Sequence, residues 1–88
     1  MQTSKTIWVT GASSGIGEAC AYLWAKEKAN LILTATRVER LREVQETCIR
    51  LGARCEILPY DLSELEGIDG LVDKAISAFG TIDIAFLN

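Results

Sequence analysis

Thr6-Ile7-Trp8-Val9-Thr10-Gly11-Ala12-Ser13-Ser14-Gly15-Ile16-Gly17 decides how this chain reads. An apolar run, a glycine-rich turn and the opening of a helical pattern follow one another without a break. The run predicts a buried strand over Thr6–Thr10, with a helix starting at Gly15. A strand, a glycine turn and a helix N-terminus in that order cradle a pyrophosphate, because the free N–H groups and the helix dipole both favour negative charge. Gly11 is expected to turn tightly out of the strand at positive φ. Gly15 lets backbone approach the phosphates, and Gly17 lets the helix pack close to the sheet. Ser13 and Ser14 offer hydroxyls and amides to phosphate oxygens. A Walker loop is excluded, since no Gly-Lys-Ser/Thr follows.

Outward from that stretch the apolar pattern alternates in type. Ile16, Ala19, Cys20, Leu23 and Trp24 recur at helical spacing and predict a helix over residues 15–28. Leu31-Ile32-Leu33-Thr34-Ala35 reads as a second buried strand. Leu41, Val44, Cys48 and Leu51 form a helical stripe that Gly52 stops. Residues 54–60 read as a third strand, with Glu56 on one face and Pro59 suiting an edge position. Ser63-Glu64-Leu65-Glu66 is a capping box, so a helix is expected from there, with Leu65, Ile68, Val72, Ala75, Ile76 and Phe79 as its apolar face and Gly80 as its end. Gly67 and Gly70 are expected to weaken it by up to about 1 kcal/mol each. Residues 82–87 read as a fourth strand. Trp8, Trp24 and Phe79 fall in the apolar periods and are assigned to the core.

Strands alternating with helices predict an α/β fold, a doubly wound parallel sheet with strand order 3-2-1-4. The glycine turn then lies at the carboxyl end of the first strand, at the switch point where such sheets bind ligands. The fourth strand would be an uncharged apolar edge, Ile84-Ala85-Phe86-Leu87, which invites aggregation unless covered. The expectation is therefore that residues 1–88 are the N-terminal part of a single dinucleotide-binding domain.

Composition narrows the function classes. With 49% hydrophobic and 24% charged residues the chain is globular rather than disordered. A net charge of −3, with Glu39 and Glu43 interleaved among Arg37, Arg40 and Arg42, argues against a nucleic-acid surface. Three cysteines, Cys20, Cys48 and Cys55, show no Cys-x-x-Cys pair, and histidine is absent, so no metal site is expected. They read as reduced, partly buried thiols of a cytoplasmic protein. No signal peptide and no membrane-spanning run of about 20 apolar residues is visible.

The Gly-x-x-x-Gly-x-Gly spacing of Gly11, Gly15 and Gly17, preceded by Thr10, resembles the cofactor motif of the short-chain dehydrogenase/reductase family. Asp61-Leu62 matches that family's acidic position beside the adenine. Ile82-Asp83-Ile84-Ala85-Phe86-Leu87-Asn88 resembles the strand leading into its Asn-Asn-Ala-Gly motif, cut at the second Asn. The resemblance covers essentially the whole chain. It implies a Rossmann fold and hydride transfer between a nicotinamide dinucleotide and a carbonyl or alcohol substrate. It also implies that Ile16 and Asn88 belong to the cofactor site and that the full-length protein is a homo-oligomer. The family's catalytic tyrosine, lysine and serine would lie beyond Asn88, so no catalytic residue is expected here. Tyr22 and Lys26 copy the spacing of the tyrosine–lysine pair, but on the helix after the phosphate turn, away from any nicotinamide. Two departures stand out. Leu87 replaces the first Asn, and Lys28 replaces a glycine, where left-handed geometry would cost of order 1 kcal/mol.

Cofactor choice turns on the end of the second strand, Thr34-Ala35-Thr36-Arg37. A carboxylate there would bond the ribose hydroxyls of NAD; none is present, and Arg37 can pair with a 2′-phosphate. This favours NADP(H), with NAD left open, since Thr36 stands where an arginine is common in NADP-dependent relatives. Two other readings remain. One is a non-catalytic dinucleotide sensor or scaffold on the same fold. The other is a methyltransferase-type nucleotide domain, against which Arg37 speaks.

Overall fold

Apolar strands too short to cover themselves must bury both faces under helices, and the computed structural model shows how, describing residues 5–60 and 67–87. The elements are β1 (Thr6–Thr10), α1 (Gly15–Lys26), β2 (Asn30–Thr34), α2 (Val38–Arg50), β3 (Arg54–Ile57), α3 (Ile68–Phe79) and β4 (Ile84–Phe86). All strand pairs are parallel and the order is β3-β2-β1-β4, the doubly wound order that the alternation predicts. β1 lies in the middle, with Val9 opposite Leu33 on one side and Phe86 on the other.

The two faces carry separate cores. Ile7, Val9, Leu31, Leu33 and Cys55 pack with Ala21 and Ala25 of α1 and Leu41, Val44 and Cys48 of α2. The alternate residues Trp8 and Ile32 pack with Leu71 and Ala75 of α3. Trp8 is buried, and its indole N–H donates to the Thr34 hydroxyl at 2.8 Å, so its polar atom is satisfied inside the sheet. Trp24 meets Phe86 edge-on, with ring centroids 5.6 Å apart, which ties α1 to β4.

Two helical faces differ from the expected ones. On α1 the residues turned to the sheet are Gly17, Ala21 and Ala25, while Ile16 is 67% exposed and Leu23 59% exposed. Small residues at i, i+4 and i+8 let the helix axis approach the strands, and that close contact outweighs the burial of larger side chains on the other side. On α3 the buried residues are Leu71 and Ala75, whereas Val72 and Ile76 are exposed. The expected stripe is thus rotated by about one residue, because Leu71 faces Trp8 and Ile32. Gly67 caps α3 with φ of 80° instead of weakening its interior. The capping box at residues 63–66 lies outside the described residues.

Strand ends also shift. β3 stops at Ile57, but Leu58 and Tyr60 still donate to the Leu33 and Ala35 carbonyls, so pairing runs on toward Pro59. Its outer edge is blunted where the Gln45 side chain donates to the Cys55 carbonyl at 2.8 Å. β4 begins only at Ile84, since Asp83 works at its entrance. The Thr6 N–H donates to the Asp83 carboxylate, and the Asp83 N–H to the Thr6 carbonyl, each at 2.8 Å.

A polar brace joins the first two helices. Arg40 of α2 pairs with Glu18 of α1 and, at 2.9 Å, with Glu43. Glu18 also accepts from the Tyr22 hydroxyl at 2.7 Å. That hydroxyl, with the Arg40 guanidinium adding to it and partial burial opposing, holds the Glu18 carboxyl below its usual value of 4.5. Burial and the Glu18 carboxylate push the Tyr22 hydroxyl up.

Two expectations follow from this packing. Lys28 adopts φ of 62°, the left-handed region, and its stem lies over Gly52. Lys28→Gly should therefore raise the midpoint of urea unfolding, by about 0.5–1 kcal/mol in stability. Because folding lowers the Glu18 carboxyl, its contribution is fully present above pH 4.5 and is lost as the pH falls through the folded-state value. Glu18→Gln should be less stable than the parent near neutrality, and the gap should close in thermal melts taken at progressively more acid pH.

Candidate functional site

The glycine turn occupies the carboxyl end of β1. Gly11 has φ of 63° and Gly15 has φ of 59°, values that place two left-handed residues on either side of Ala12-Ser13-Ser14. Ala12 is buried, and its N–H donates to the Thr34 carbonyl at 3.2 Å. That bond pins the turn to the end of β2, whose continuation carries Thr36 and Arg37. The Thr10 hydroxyl donates to the Phe86 carbonyl at 3.2 Å and holds β4 alongside.

Ser14 is the N-cap of α1 in extended conformation, and its side chain makes no capping hydrogen bond. The first-turn N–H groups of α1, which a helix cannot satisfy internally, begin at the carboxyl end of β1. Gly15 is exposed, and a Cβ built on it would have no heavy atom within 4 Å. Gly17 is buried, on the same face of α1 as Ala21 and Ala25. Ser13 is half-buried and Ile16 exposed at the same corner.

Thr36 and Arg37 are both exposed at the start of α2, where Arg37 is the N-cap. Among the described residues Arg37 has no carboxylate partner, whereas Arg40, one turn on, holds two. The end of β2 carries no acidic side chain, as the sequence shows. The expected site residues Asp61, Leu62 and Asn88 lie outside the described residues.

Tyr22 faces α2 rather than the turn. Its hydroxyl is engaged by Glu18, with Thr47 also within hydrogen-bonding reach. Cys48 and Cys55 are buried thiols of the core, and Cys20 is half-buried; all three are free. Hydrogen bonding to Cys48 and burial push the Cys55 thiol up, and the Cys55 S–H lowers the Cys48 thiol. Among the described residues no cluster of acidic or cysteine side chains is arranged to hold a metal ion. A groove of about 500 Å³ opens elsewhere, at the amino end of β3, between Ile49, Arg54 and Phe79, and no residue of the glycine turn lines it. Among the described residues no helix is long and apolar enough to cross a membrane.

What sequence reasoning missed at this corner is the Glu18–Arg40 pair. The partners stand on different helices, so no local spacing announces them.

Comparison with known proteins agrees with this geometry. Residues 5–88 match the short chain dehydrogenase family. The chain is 45% identical over 82 residues to 11-beta-hydroxysteroid dehydrogenase-like 2 of Arabidopsis thaliana, covering 92% of this chain and 27% of that protein. Among solved structures, an alcohol dehydrogenase from the archaeon Thermococcus sibiricus complexed with 5-hydroxy-NADP superposes with a TM-score of 0.88 at 31% identity, covering 94% of this chain and 36% of that one. A metagenomic short-chain oxidoreductase in complex with NADP gives 0.86 at 34% identity, covering 92% and 37%. The chain thus spans roughly a quarter to just over a third of these relatives' lengths. A central strand leading through two left-handed glycines into a helix, matched along residues 5–88, places this chain in the short-chain dehydrogenase/reductase family.

Proposed function

We propose that this chain forms the N-terminal, dinucleotide-binding part of an oxidoreductase that transfers hydride between NADP(H) and a carbonyl or alcohol substrate. The observation that carries the reading is the corner itself. The open, left-handed Gly15 and the uncapped start of α1 are tied by one backbone hydrogen bond to a strand end that offers Arg37 and no carboxylate.

The residues fit such a ligand. The empty space over Gly15 is room for a pyrophosphate, which the first-turn N–H groups, Ser13 and Ser14 would bind with the helix dipole in support. Ile16 and Gly17 complete the turn, one as an apolar wall and the other by its close packing. Thr36 and Arg37 would take the 2′-phosphate, Arg37 as a charge-assisted contact. Asp61 and Leu62 would flank the adenine, and Asn88 would lie near the cofactor beyond β4. When bound, the nicotinamide supplies or accepts the hydride. The proton donor beside the substrate oxygen is assigned to residues outside this chain. Two of the solved structures that this chain resembles carry NADP or a derivative, which supports the choice of dinucleotide. The three free thiols suit a reducing compartment such as the cytoplasm, and a homo-oligomeric full-length protein belongs to the same reading.

Titration of the intact protein with NADP+ and NAD+ tests this. Binding of NADP+ at least tenfold tighter than NAD+ is expected, together with NADPH-dependent reduction of carbonyl compounds. Binding without turnover would favour the sensor reading instead. Arg37→Ala should weaken NADP+ by about tenfold to a hundredfold and leave NAD+ nearly unchanged, the scale of one lost charge-assisted contact. Gly15→Ala places a methyl group in the phosphate space at a left-handed residue. It should abolish measurable binding of both dinucleotides while costing the fold only about 1–2 kcal/mol, read by urea unfolding.

A further inference from the structure

The first turn of α1 contains a conflict. A carboxylate there stabilises the helix through its dipole, and Glu18 is that carboxylate. The same turn is the one proposed to hold a pyrophosphate, and a negative charge beside it opposes any anionic ligand. Arg40 of α2 meets Glu18 directly, and the Tyr22 hydroxyl donates to the same carboxylate oxygen at 2.7 Å. Arg40 thus holds Glu18 toward α2, and its charge offsets that of Glu18 close to the ligand space. Glu43, the second partner of Arg40, stands on the exposed side of α2.

We infer that Arg40 is a positioning residue for cofactor choice, acting through Glu18: by neutralising the one acidic side chain of the first turn of α1, it permits the more highly charged, 2′-phosphorylated dinucleotide to bind. This rests on the dinucleotide reading given above. The physical reason lies in the ligand charge. A 2′-phosphate adds about 1.5–2 negative charges near neutral pH, the charge a phosphomonoester carries. An uncompensated Glu18 therefore penalises NADP(H) more than NAD(H). Arg37 is the direct contact for that phosphate; Arg40 does not touch the ligand.

The test is the ratio of dissociation constants for NAD+ and NADP+, measured by titration calorimetry on the intact protein and on Arg40→Gln, Arg40→Lys, Glu18→Gln and the double variant Glu18→Gln/Arg40→Gln. Arg40→Gln should lower the preference for NADP+ about fivefold, the scale of one partly screened charge, and less at high salt. Arg40→Lys, which keeps the charge, should retain most of the preference. Glu18→Gln should match or exceed the parent, and adding it to Arg40→Gln should restore what Arg40→Gln lost. A brace with no electrostatic role would behave differently, because every variant that breaks the pair would then lose binding of both dinucleotides alike. That pattern, or an unchanged ratio in Arg40→Gln, overturns the inference while leaving the proposed function standing. Should Arg40→Gln fail to fold, Glu18→Gln decides, since a loss of NADP+ preference there is incompatible with charge compensation. A parent protein that binds neither dinucleotide, or prefers NAD+, overturns the underlying reading itself.

Discussion

The close approach of α1 to the sheet is the contact on which the remaining structure depends. Gly17, Ala21 and Ala25 present almost no side chain to β1 and β2, so the helix lies low over Val9 and Leu33. Its N-terminus then falls at the carboxyl end of the central strand. A larger residue on that face would lift the helix and separate its free N–H groups from the turn that Gly11 and Gly15 shape. The two left-handed glycines solve the complementary problem, since the chain must leave an extended strand and enter a helix within a few residues. Close packing and backbone freedom together bring the N-terminus of α1 to the carboxyl end of β1.

The site is also held from the sides. The Ala12–Thr34 hydrogen bond couples the turn to β2, and the Thr10–Phe86 hydrogen bond couples the end of β1 to β4. Each of these reaches across more than twenty residues of sequence and depends on parallel pairing in one register. A one-residue slip of β2 would carry its apolar residues to the opposite face and displace the corner that bears Arg37. Register, core and site are therefore one property of the sheet.

Electrostatics at the same end of the molecule is arranged by α1 and α2 jointly. Glu18 and Arg40 neutralise each other, while Arg37 stays exposed at the N-cap of α2. Arg37 and Arg40 are chemically alike and differ in what faces them: the helix-to-helix contact engages the Arg40 guanidinium, while among the described residues that of Arg37 meets no carboxylate. The thiols follow the same logic. Cys48 and Cys55 pack together inside the core as small apolar residues.

Strand β1, the glycine turn, the strand order and the family were legible from sequence, because each rests on local pattern: apolar runs of strand length, glycines at fixed spacing and alternation of element type. The strained Lys28 was legible too, as a side chain standing where a turn needs positive φ. The faces of α1 and α3 were not. Apolar periodicity marks the largest hydrophobic side chains, and here the sheet selects the smallest ones on α1 and turns Leu71 of α3 inward. Nor did local pattern reveal the Asp83 bridge to Thr6 or the Glu18–Arg40 pair, whose partners meet only when separate elements pack. The sequence by itself determined which elements form and where the backbone can turn, since φ preferences and apolar period act within a few residues. Tertiary structure alone decided which side of each helix is buried and that Arg40, rather than Arg37, meets Glu18, since both depend on what stands opposite.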